Sequence, residues 1–516
     1  MEKVDSFFIL RYNNIEKIFR LEESIMELKK ILNGMENYKS KGNIEIDVLS
    51  IEDNSKDVKP GSLFVAIRGF DFDGHDFVQE AISNGATALI LDMKANLKNM
   101  KIPEDVTVVI VQDSRIALAI AACNFYGNAS KKFTLIGVTG TKGKTTTCYM
   151  IKAILEKAGK KVGLIGTVEN FIGDKSLGDS NRTTPGSVEL QRMFYQMAKE
   201  KCDVVVMEVS SQSLKLNRVL GSYFDIGVFT NFSGDHISEK EHPDMEDYFK
   251  SKEKLFSMCA KGYVNSDDFK TWILEKDSPK CEFKSYGIDN TCDLLAKDVT
   301  ITNVSVDYKV KIGAKNERIK VNIPGRFSVY NSLAAISVTQ DLGASVENMK
   351  EALLEVSVPG RSELVNNDGD YPIMIDYAHT VSSLSNILTA VKAYTKGRVI
   401  CVFGCGGDRD KEKRPLMGEV AGKIADYTIV TTDNPRTEKP EMIIHAIEEG
   451  ISKTKGKYEL IVDRKEAIKK AIAMMNKKDI VVICGKGHEK YQEIKKEKIP
   501  FDEREIIKEA LEESKK

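Results

Sequence analysis

The sequence predicts an α/β protein of about three domains, and three observations carry that expectation. An apolar run, Phe133 to Val138, enters a glycine-rich turn that leaves as a helix-compatible segment from Thr145 to Ala158. Strand-like and helix-like segments alternate through most of the chain beyond residue 130, the pattern of open, mostly parallel sheets. The chain has 516 residues, more than one ordinary core organises.

The residues before about position 110 differ from the rest. They carry no glycine-rich phosphate turn, Pro60-Gly61 turns into the short strand Leu63 to Ala66, and the polar stretch Asn33 to Asn43 reads as a loop. Gly159 stands where the C-cap of the helix Thr145–Ala158 belongs. Cys202 to Glu208 and Phe224 to Thr230 are apolar enough to be buried strands of the same sheet. A second series begins near Tyr371. Ile373 to Tyr377, Arg398 to Phe403, Tyr427 to Thr431, Tyr458 to Val462 and Asp479 to Cys484 read as strands, with helices Ser382 to Tyr394, Pro440 to Ile451 and Arg464 to Met475 between them. Pro359-Gly-Arg361 is the expected hinge between the two series.

Composition narrows the function class. The 76 basic and 77 acidic residues nearly cancel, so no global field draws nucleic acid or an anionic membrane. Met1-Glu-Lys-Val-Asp5 lacks the basic leader, apolar core and cleavage site of a signal peptide, and no apolar run reaches the ~18 residues of a membrane span. Nine cysteines without C-x-x-C spacing argue against a zinc ribbon or a disulfide framework. A reduced, cytoplasmic enzyme is the expectation.

The turn Gly137-Val-Thr-Gly-Thr-Lys-Gly-Lys-Thr-Thr146 has the chemistry of a phosphate loop. Small residues let backbone N–H groups curl round phosphate oxygens, Lys144 neutralises charge, and the Thr145 hydroxyl suits Mg²⁺. The spacing is unusual, since G-x-x-x-x-G-K-T would need glycine where the chain has Val138. The plainer reading is a glycine-rich turn with a surface lysine, but strand and helix flank it as the motif requires, so ATP or GTP is the expected ligand. Glu208 ends an apolar run and would complete Mg²⁺ coordination, or alternatively cap the next helix. Of six histidines, His75, His236, His379 and His488 sit beside polar or glycine residues after strand ends, which favours function over structure. Gly404-Cys-Gly-Gly-Asp-Arg409 fails as a dinucleotide fingerprint, because Arg409 stands at the third glycine; Arg409, Arg414 and, in Asp433-Asn-Pro-Arg436, a further arginine suit gripping a carboxylate or phosphate, solvated surface arginines being the alternative.

In order and context, these motifs resemble the Mur ligase family, and within it the MurE type. The resemblance rests on Thr139 to Thr145, Thr183-Thr-Pro185, Glu208-Val-Ser-Ser211, Thr230-Asn231 with Asp235-His236, Ser251-Lys252, Pro324-Gly-Arg-Phe327 with Tyr330-Asn331, Pro359-Gly-Arg361, Asp376 to Thr380, Gly404 to Met417, Asp433 to Arg436, and Gly485 to Gln492. It covers nearly the whole chain from about residue 50.

That resemblance implies three α/β domains: a UDP-binding domain at 1–111, a central phosphate-loop ATPase domain at 112–357 and a Rossmann-like amino-acid-binding domain at 358–516. It implies an ATP-dependent ligase of cytoplasmic peptidoglycan-precursor synthesis, using Mg²⁺ and a carbamylated Lys252, and acting as a monomer on small molecules without nucleic acid or membrane. The expected substrates are UDP-MurNAc-L-Ala-D-Glu, ATP and meso-diaminopimelate. Lysine or another diamino acid, a different acceptor, and a phosphate-loop switch without ligation are the alternatives. Carried over by position, Lys144, Glu208, His236 and Lys252 are catalytic. Gly140, Thr141, Lys142, Gly143, Lys144, Thr145, Thr146 and Asn331 bind ATP, while Thr145, Glu208, His236 and Lys252 hold metal. Ser55, Thr183, Thr184, Ser210 and Arg218 bind the acceptor, and Arg409, Asp433, Asn434, Arg436, Gly485 and Glu489 the amino acid, with Arg436 taking the distal carboxylate unless it pairs with Glu438. Gln212, Asn54-Ser-Lys56, Ser328 and Ile237 to Lys240 depart from the usual MurE residues.

Overall fold

The computed structural model describes residues 25–70, 72–95, 100–180, 182–234, 237–238, 241–366, 370–495 and 497–513. Two compact units emerge. One comprises the described residues up to Lys144 with Gly159–Val264 and Lys270–Phe283; the other comprises Thr145–Ala158, Asn265–Phe269 and the chain from Lys284.

Besides the short antiparallel pair Met26–Glu27 with Asp47–Val48, the first unit holds strands of two larger sheets. In the N-terminal one the strands run in the order Lys39–Lys41, Thr107–Val111, Ala86–Asp92, Ser62–Val65 and Ser50–Glu52. All neighbours are parallel except the first pair. Alternate residues serve opposite faces: Leu63, Val65, Ala88 and Ile90 join one core with helix Ser114–Phe125, and Phe64, Leu89 and Leu91 join another with Val78 and Ala81. The stretch Asn33 to Asn43, expected as a loop, contains the edge strand Lys39–Lys41. All three of its residues are exposed, so it has no apolar alternation to read.

The larger sheet of this unit has Val162–Ile165, Val204–Glu208, Thr134–Thr139, Phe224–Phe229 and Cys259–Asn265 in parallel. Glu169–Ile172 and Lys175–Asp179 extend it antiparallel beyond Val162–Ile165, so the sheet is mixed.

The phosphate-loop helix begins at Lys144, one residue before the expected start, and ends at Lys157, its residues from Thr145 onward belonging to the second unit. Gly159 adopts φ 81°, as a C-cap glycine does. Three antiparallel strands, Leu294–Ile301, Val306–Ile312 and Lys315–Val321, go beyond the strands read from the sequence, although the buried set Val306, Tyr308, Val310 and Ile312 alternates with polar residues as a half-buried strand does. The C-terminal sheet runs Glu363–Asn366, Ile373–Asp376, Ile480–Cys484, Val399–Phe403, Tyr427–Val430 and Lys457–Leu460, parallel except at its first strand. Val399, Cys401 and Phe403 face a core shared with helices Val381–Tyr394, Lys413–Ile424 and Pro440–Ile451, whereas Ile400 and Val402 face one shared with Arg464–Ala473 and Glu503–Glu513. This is the doubly wound arrangement the alternation predicts.

Two features brace that sheet. Helices Lys413–Ile424 and Pro440–Ile451 touch backbone to backbone: a methyl group on Gly418 would collide with the Ile447 carbonyl, and one on Gly450 with that of Pro415. On the opposite face Arg464 and Glu503, both fully buried, pair at 2.7 Å, and Arg464 also donates to Thr432 O at 3.3 Å and Cys484 O at 2.8 Å. It therefore ties the ends of two strands together.

Candidate active site

Strand register gathers the first set of residues. Glu208 lies opposite Val138 and Phe229 opposite Thr139, so three parallel strands end side by side where the phosphate loop begins. Open α/β sheets place ligands at this edge. Gly140 and Gly143 take φ of 142° and 84°, where a side chain would be strained.

The loop is braced by the segment after Phe229. Thr141 N–H donates to Asn231 O at 2.8 Å and Lys142 N–H to Asn231 Oδ1 at 3.0 Å. Asn231 Nδ2 returns a bond to Lys142 O at 3.0 Å, and the Thr230 hydroxyl donates to the same oxygen at 2.6 Å. Lys144 folds its ammonium back onto Gly140 O and Thr141 O, both at 2.9 Å. Lys252, 1% exposed, donates to the same Gly140 carbonyl at 2.8 Å, with its amine 4.4 Å from the centre of the Tyr248 ring. Two predicted catalytic lysines thus converge on one backbone oxygen. His236 and Asp235 lie outside the described residues.

Glu208 is 1% exposed, and its carboxylate accepts Thr167 N–H at 2.7 Å with the Thr167 hydroxyl at 3.1 Å. That hydroxyl also lies 3.1 Å from Thr183 Oγ1. Thr184 donates to the Glu208 carbonyl at 2.9 Å and accepts Ser210 N–H at 3.0 Å, while Arg218 donates to Thr184 O at 3.3 Å. Ser210 caps the helix Ser211–Lys215 by accepting Ser213 N–H at 3.2 Å. Thr183, Thr184, Ser210 and Arg218 are therefore one connected patch beside Glu208. Burial, with the charges of Arg182 and Arg115, brings the Arg218 guanidinium down to about 10. Such a crowded cation favours an anionic ligand. Ser55, in a turn capped by Asn54, is buried and donates to the Glu80 carboxylate.

In the second unit, Thr145 and Thr146 are buried in the first turn of their helix, and Asn331 is buried in helix Arg326–Asp341. The neighbouring Tyr330 hydroxyl donates to Asp267 at 3.0 Å.

The residues expected to bind the amino acid form their own cluster. Asn434 Nδ2 donates to Glu489 Oε2 at 2.8 Å, and the fully buried Lys486 donates to Asn434 Oδ1 at 2.8 Å and Glu489 Oε2 at 3.0 Å. Asp433 is buried against Gly485, whose φ is 116° and where a side chain would strike the Asp433 carboxylate. Arg436, at φ 51°, donates from Nε to Glu493 at 2.8 Å and from Nη1 to Gly407 O at 2.7 Å. Among the described residues Nη2 is left unengaged. Arg409 is exposed near Arg436, across Gly406.

Three sequence expectations change. Arg414 does not grip a ligand: it is 3% exposed and locked bidentately to Glu438, at 2.8 and 3.0 Å. Glu438 is thereby unavailable to Arg436, whose partner is Glu493. His75 is structural, accepting Asp92 N–H at 3.0 Å on Nε2 and pairing with Asp73 at 2.6 Å through Nδ1. Residues the sequence reading passed over include Thr167, Lys486 and His242; Lys486 was visible between two glycines, whereas Thr167 and His242 find their partners only through the fold.

Residues 47–126 match the model of the Mur ligase family, catalytic domain, residues 138–339 the Mur ligase middle domain, and residues 360–487 the Mur ligase, glutamate ligase domain. A relative from Caldanaerobacter subterraneus is 49% identical over 491 residues, 95% of this chain and 100% of its own length. The chain belongs to the Mur ligase family. The relative's name is UDP-N-acetylmuramoyl-L-alanyl-D-glutamate--2,6-diaminopimelate ligase, and a Clostridium acetobutylicum protein of the same name, numbered 1, is 43% identical over 494 residues, 95% of this chain and 100% of that one. A solved structure of an enzyme so named superposes with TM-score 0.68 at 27% identity, covering 95% of this Mur ligase and 99% of the other chain. A MurF ligase of Thermotoga maritima, solved with ADP, shares the fold at TM-score 0.58 and 21% identity, over 90% of this chain and 97% of its own.

All nine cysteines are free, and among the described residues no helix is long and apolar enough to cross a membrane.

Proposed function

We propose that this Mur ligase is an ATP-dependent amide ligase that joins meso-diaminopimelate to UDP-MurNAc-L-Ala-D-Glu in peptidoglycan precursor synthesis. The observation that carries the proposal is end-to-end identity of 43–49% to relatives named for that reaction. The braced phosphate loop, with Lys144, Lys252 and buried Glu208 at one sheet edge, supports it from chemistry.

A carboxylate is a poor acyl donor. Transfer of the γ-phosphoryl group of ATP to a carboxylate oxygen gives an acyl phosphate and ADP; the amine then attacks the acyl carbon, loses a proton and expels phosphate. Positioning and charge stabilisation do most of the enzyme's part. Lys144 and the loop N–H groups hold the phosphates, with the lysine exchanging its two carbonyl partners for phosphate oxygens. Asn331 contacts adenine. Mg²⁺ prefers hard oxygen donors, which the Glu208 carboxylate and a carbamate on Lys252 would supply, with Thr145 and His236 assigned by the resemblance. The bound ion would neutralise phosphoryl charge.

Ser55 contacts the UDP end of the acceptor, and Thr183, Thr184, Ser210 and Arg218 its peptide. Glu489, oriented by Asn434 and Lys486, takes an ammonium of the amino acid, and Arg436 takes its distal carboxylate, with Arg409, Asp433 and Gly485 completing the pocket. The domains are 1–111, 112–357 and 358–516, in a monomeric cytoplasmic enzyme.

The test is ADP release with UDP-MurNAc-dipeptide and a panel of amino acids. Turnover should need both co-substrates and be fastest with diaminopimelate. ATP hydrolysis indifferent to both would refute ligation, and equal use of lysine would refute the substrate while leaving the ligase.

A further inference from the structure

His242 belongs to no site described so far. It is fully buried, Nδ1 lies 2.6 Å from Asp247 Oδ2, and Nε2 lies 2.9 Å from Ser211 Oγ. Asp247 accepts only, so Nδ1 carries the proton and Nε2 accepts from the Ser211 hydroxyl. Lys215 donates to the same Asp247 oxygen at 2.8 Å, which fixes the carboxylate as an anion facing the imidazole.

Ser211 begins the helix Ser211–Lys215, next to Ser210, which is bonded to Thr184, and three residues beyond Glu208. Asp247 lies in the first turn of helix Met245–Ser257, which carries Tyr248 and Lys252. Tyr248 packs 5.0 Å from the imidazole, donates its hydroxyl to Thr141 Oγ1 at 3.3 Å, and presents its ring to Lys252. The imidazole thus bridges the helix beginning at Ser211 and the helix carrying Lys252, beside Lys215, which spans the same two helices through its own bond to Asp247.

We infer that His242 is a positioning residue for the ligation reaction: through Ser211 on one side and Asp247 on the other it fixes the separation of the acceptor-binding segment at Ser210 from Lys252 at the phosphate loop. The inference rests on the ligase reading above. A neutral imidazole suits the task because its two nitrogens act in opposite senses, one donating and one accepting, in a fixed plane.

The experiment is a double-mutant cycle in the full-length enzyme, reading kcat and the three KM values, with thermal melting alongside. His242→Phe keeps the ring volume and removes both bonds; it should lower kcat at least ~10-fold, with the KM for the amino acid changed less than ~2-fold. Ser211→Ala should lower kcat by a similar factor, and the double variant should be no worse than the poorer single one, because both remove the same link. His242→Gln, which restores one polar atom at the reach of Nε2, should recover part of the loss. If His242→Phe fails to fold, Ser211→Ala and His242→Gln still decide the matter. Wild-type kcat in Ser211→Ala, multiplying losses in the double variant, or a glutamine variant no better than phenylalanine at equal melting temperature would each overturn the inference alone. A wild-type enzyme that releases no ADP would overturn the ligase reading and this inference with it.

Discussion

Replacing Glu503 by leucine leaves Arg464 as a cation in a place without water. Both side chains are 0% exposed, so solvent neither screens the pair nor replaces the lost carboxylate. The bonds from Arg464 to Thr432 O and Cys484 O remain, but neutral carbonyls only partly compensate a full charge. Breaking such a pair from one side costs about 3–5 kcal/mol. At roughly 2–4 °C per kcal/mol for a cooperative unit of 150–250 residues, the C-terminal transition should fall by roughly 6–20 °C. The double variant Arg464→Met, Glu503→Leu should regain most of that, because removing both charges removes the desolvation cost with them. Differential scanning calorimetry reads both values. A shift below ~2 °C in the single variant, or a double variant as unstable as the single, would refute the reasoning. A dependent effect is expected in catalysis, since Arg464 secures the strand ends from which Asp433, Asn434 and Gly485 project: the KM for the amino acid should rise in Glu503→Leu more than that for ATP.

Lys144→Ala should lower kcat at least ~10²-fold while leaving the melting temperature near wild type, the scale for losing one contact to transferring phosphate charge; near-normal turnover would remove Lys144 from the phosphate site. Lys252→Ala should be inactive and partly restored by small added carboxylates, and mass spectrometry or crystallography of the wild type should find the carbamate; an unmodified amine in an active, substrate-bound enzyme would contradict this. Diaminopimelate should exceed lysine by at least ~10²-fold in kcat/KM, with Arg436→Ala erasing most of the difference, since lysine leaves the arginine without its second carboxylate; steady-state kinetics with both amino acids decides it. Arg414 holds the Glu438 carboxyl down at about 2. A depressed carboxyl stabilises the fold above its unfolded value of ~4.3 and loses that contribution as pH falls towards the folded one. NMR titration should therefore place Glu438 well below other glutamates, and Arg414→Met should return it to the ordinary range.

The parts of the site legible in the sequence were those that depend on neighbours along the chain. The phosphate loop announces itself through strand, glycines and lysine, and the helix Pro440–Ile451 starts at the expected Pro440 because a proline at the first turn loses no hydrogen bond. What stayed hidden was partner choice across the fold. His75 and His242 both sit beside polar residues in the sequence, yet one pairs with Asp73, two residues away, and with Asp92, and the other reaches Ser211 across 31 residues. Arg414 and Arg436 were equally good candidates for gripping a carboxylate until the fold gave Glu438 to Arg414 and Glu493 to Arg436. Edge strands such as Lys39–Lys41 escaped because hydrophobic periodicity is blind to a segment that buries no side chain.

The backbone contact between helices Lys413–Ile424 and Pro440–Ile451 bears on how this pocket can change. Each helix follows, after three residues, a strip proposed to line the amino-acid pocket, one from Gly404 to Arg409 and the other from Asp433 to Arg436. Gly418 and Gly450 interlock the helices like notched beams, so neither strip can retreat by sliding its helix along the other. The gap between Arg409 and Arg436 is then a dimension of the frame. Adapting the enzyme to a longer or shorter amino acid means exchanging the side chains that project into that gap, while a methyl group added at either notch would distort the pocket from some distance without touching the ligand.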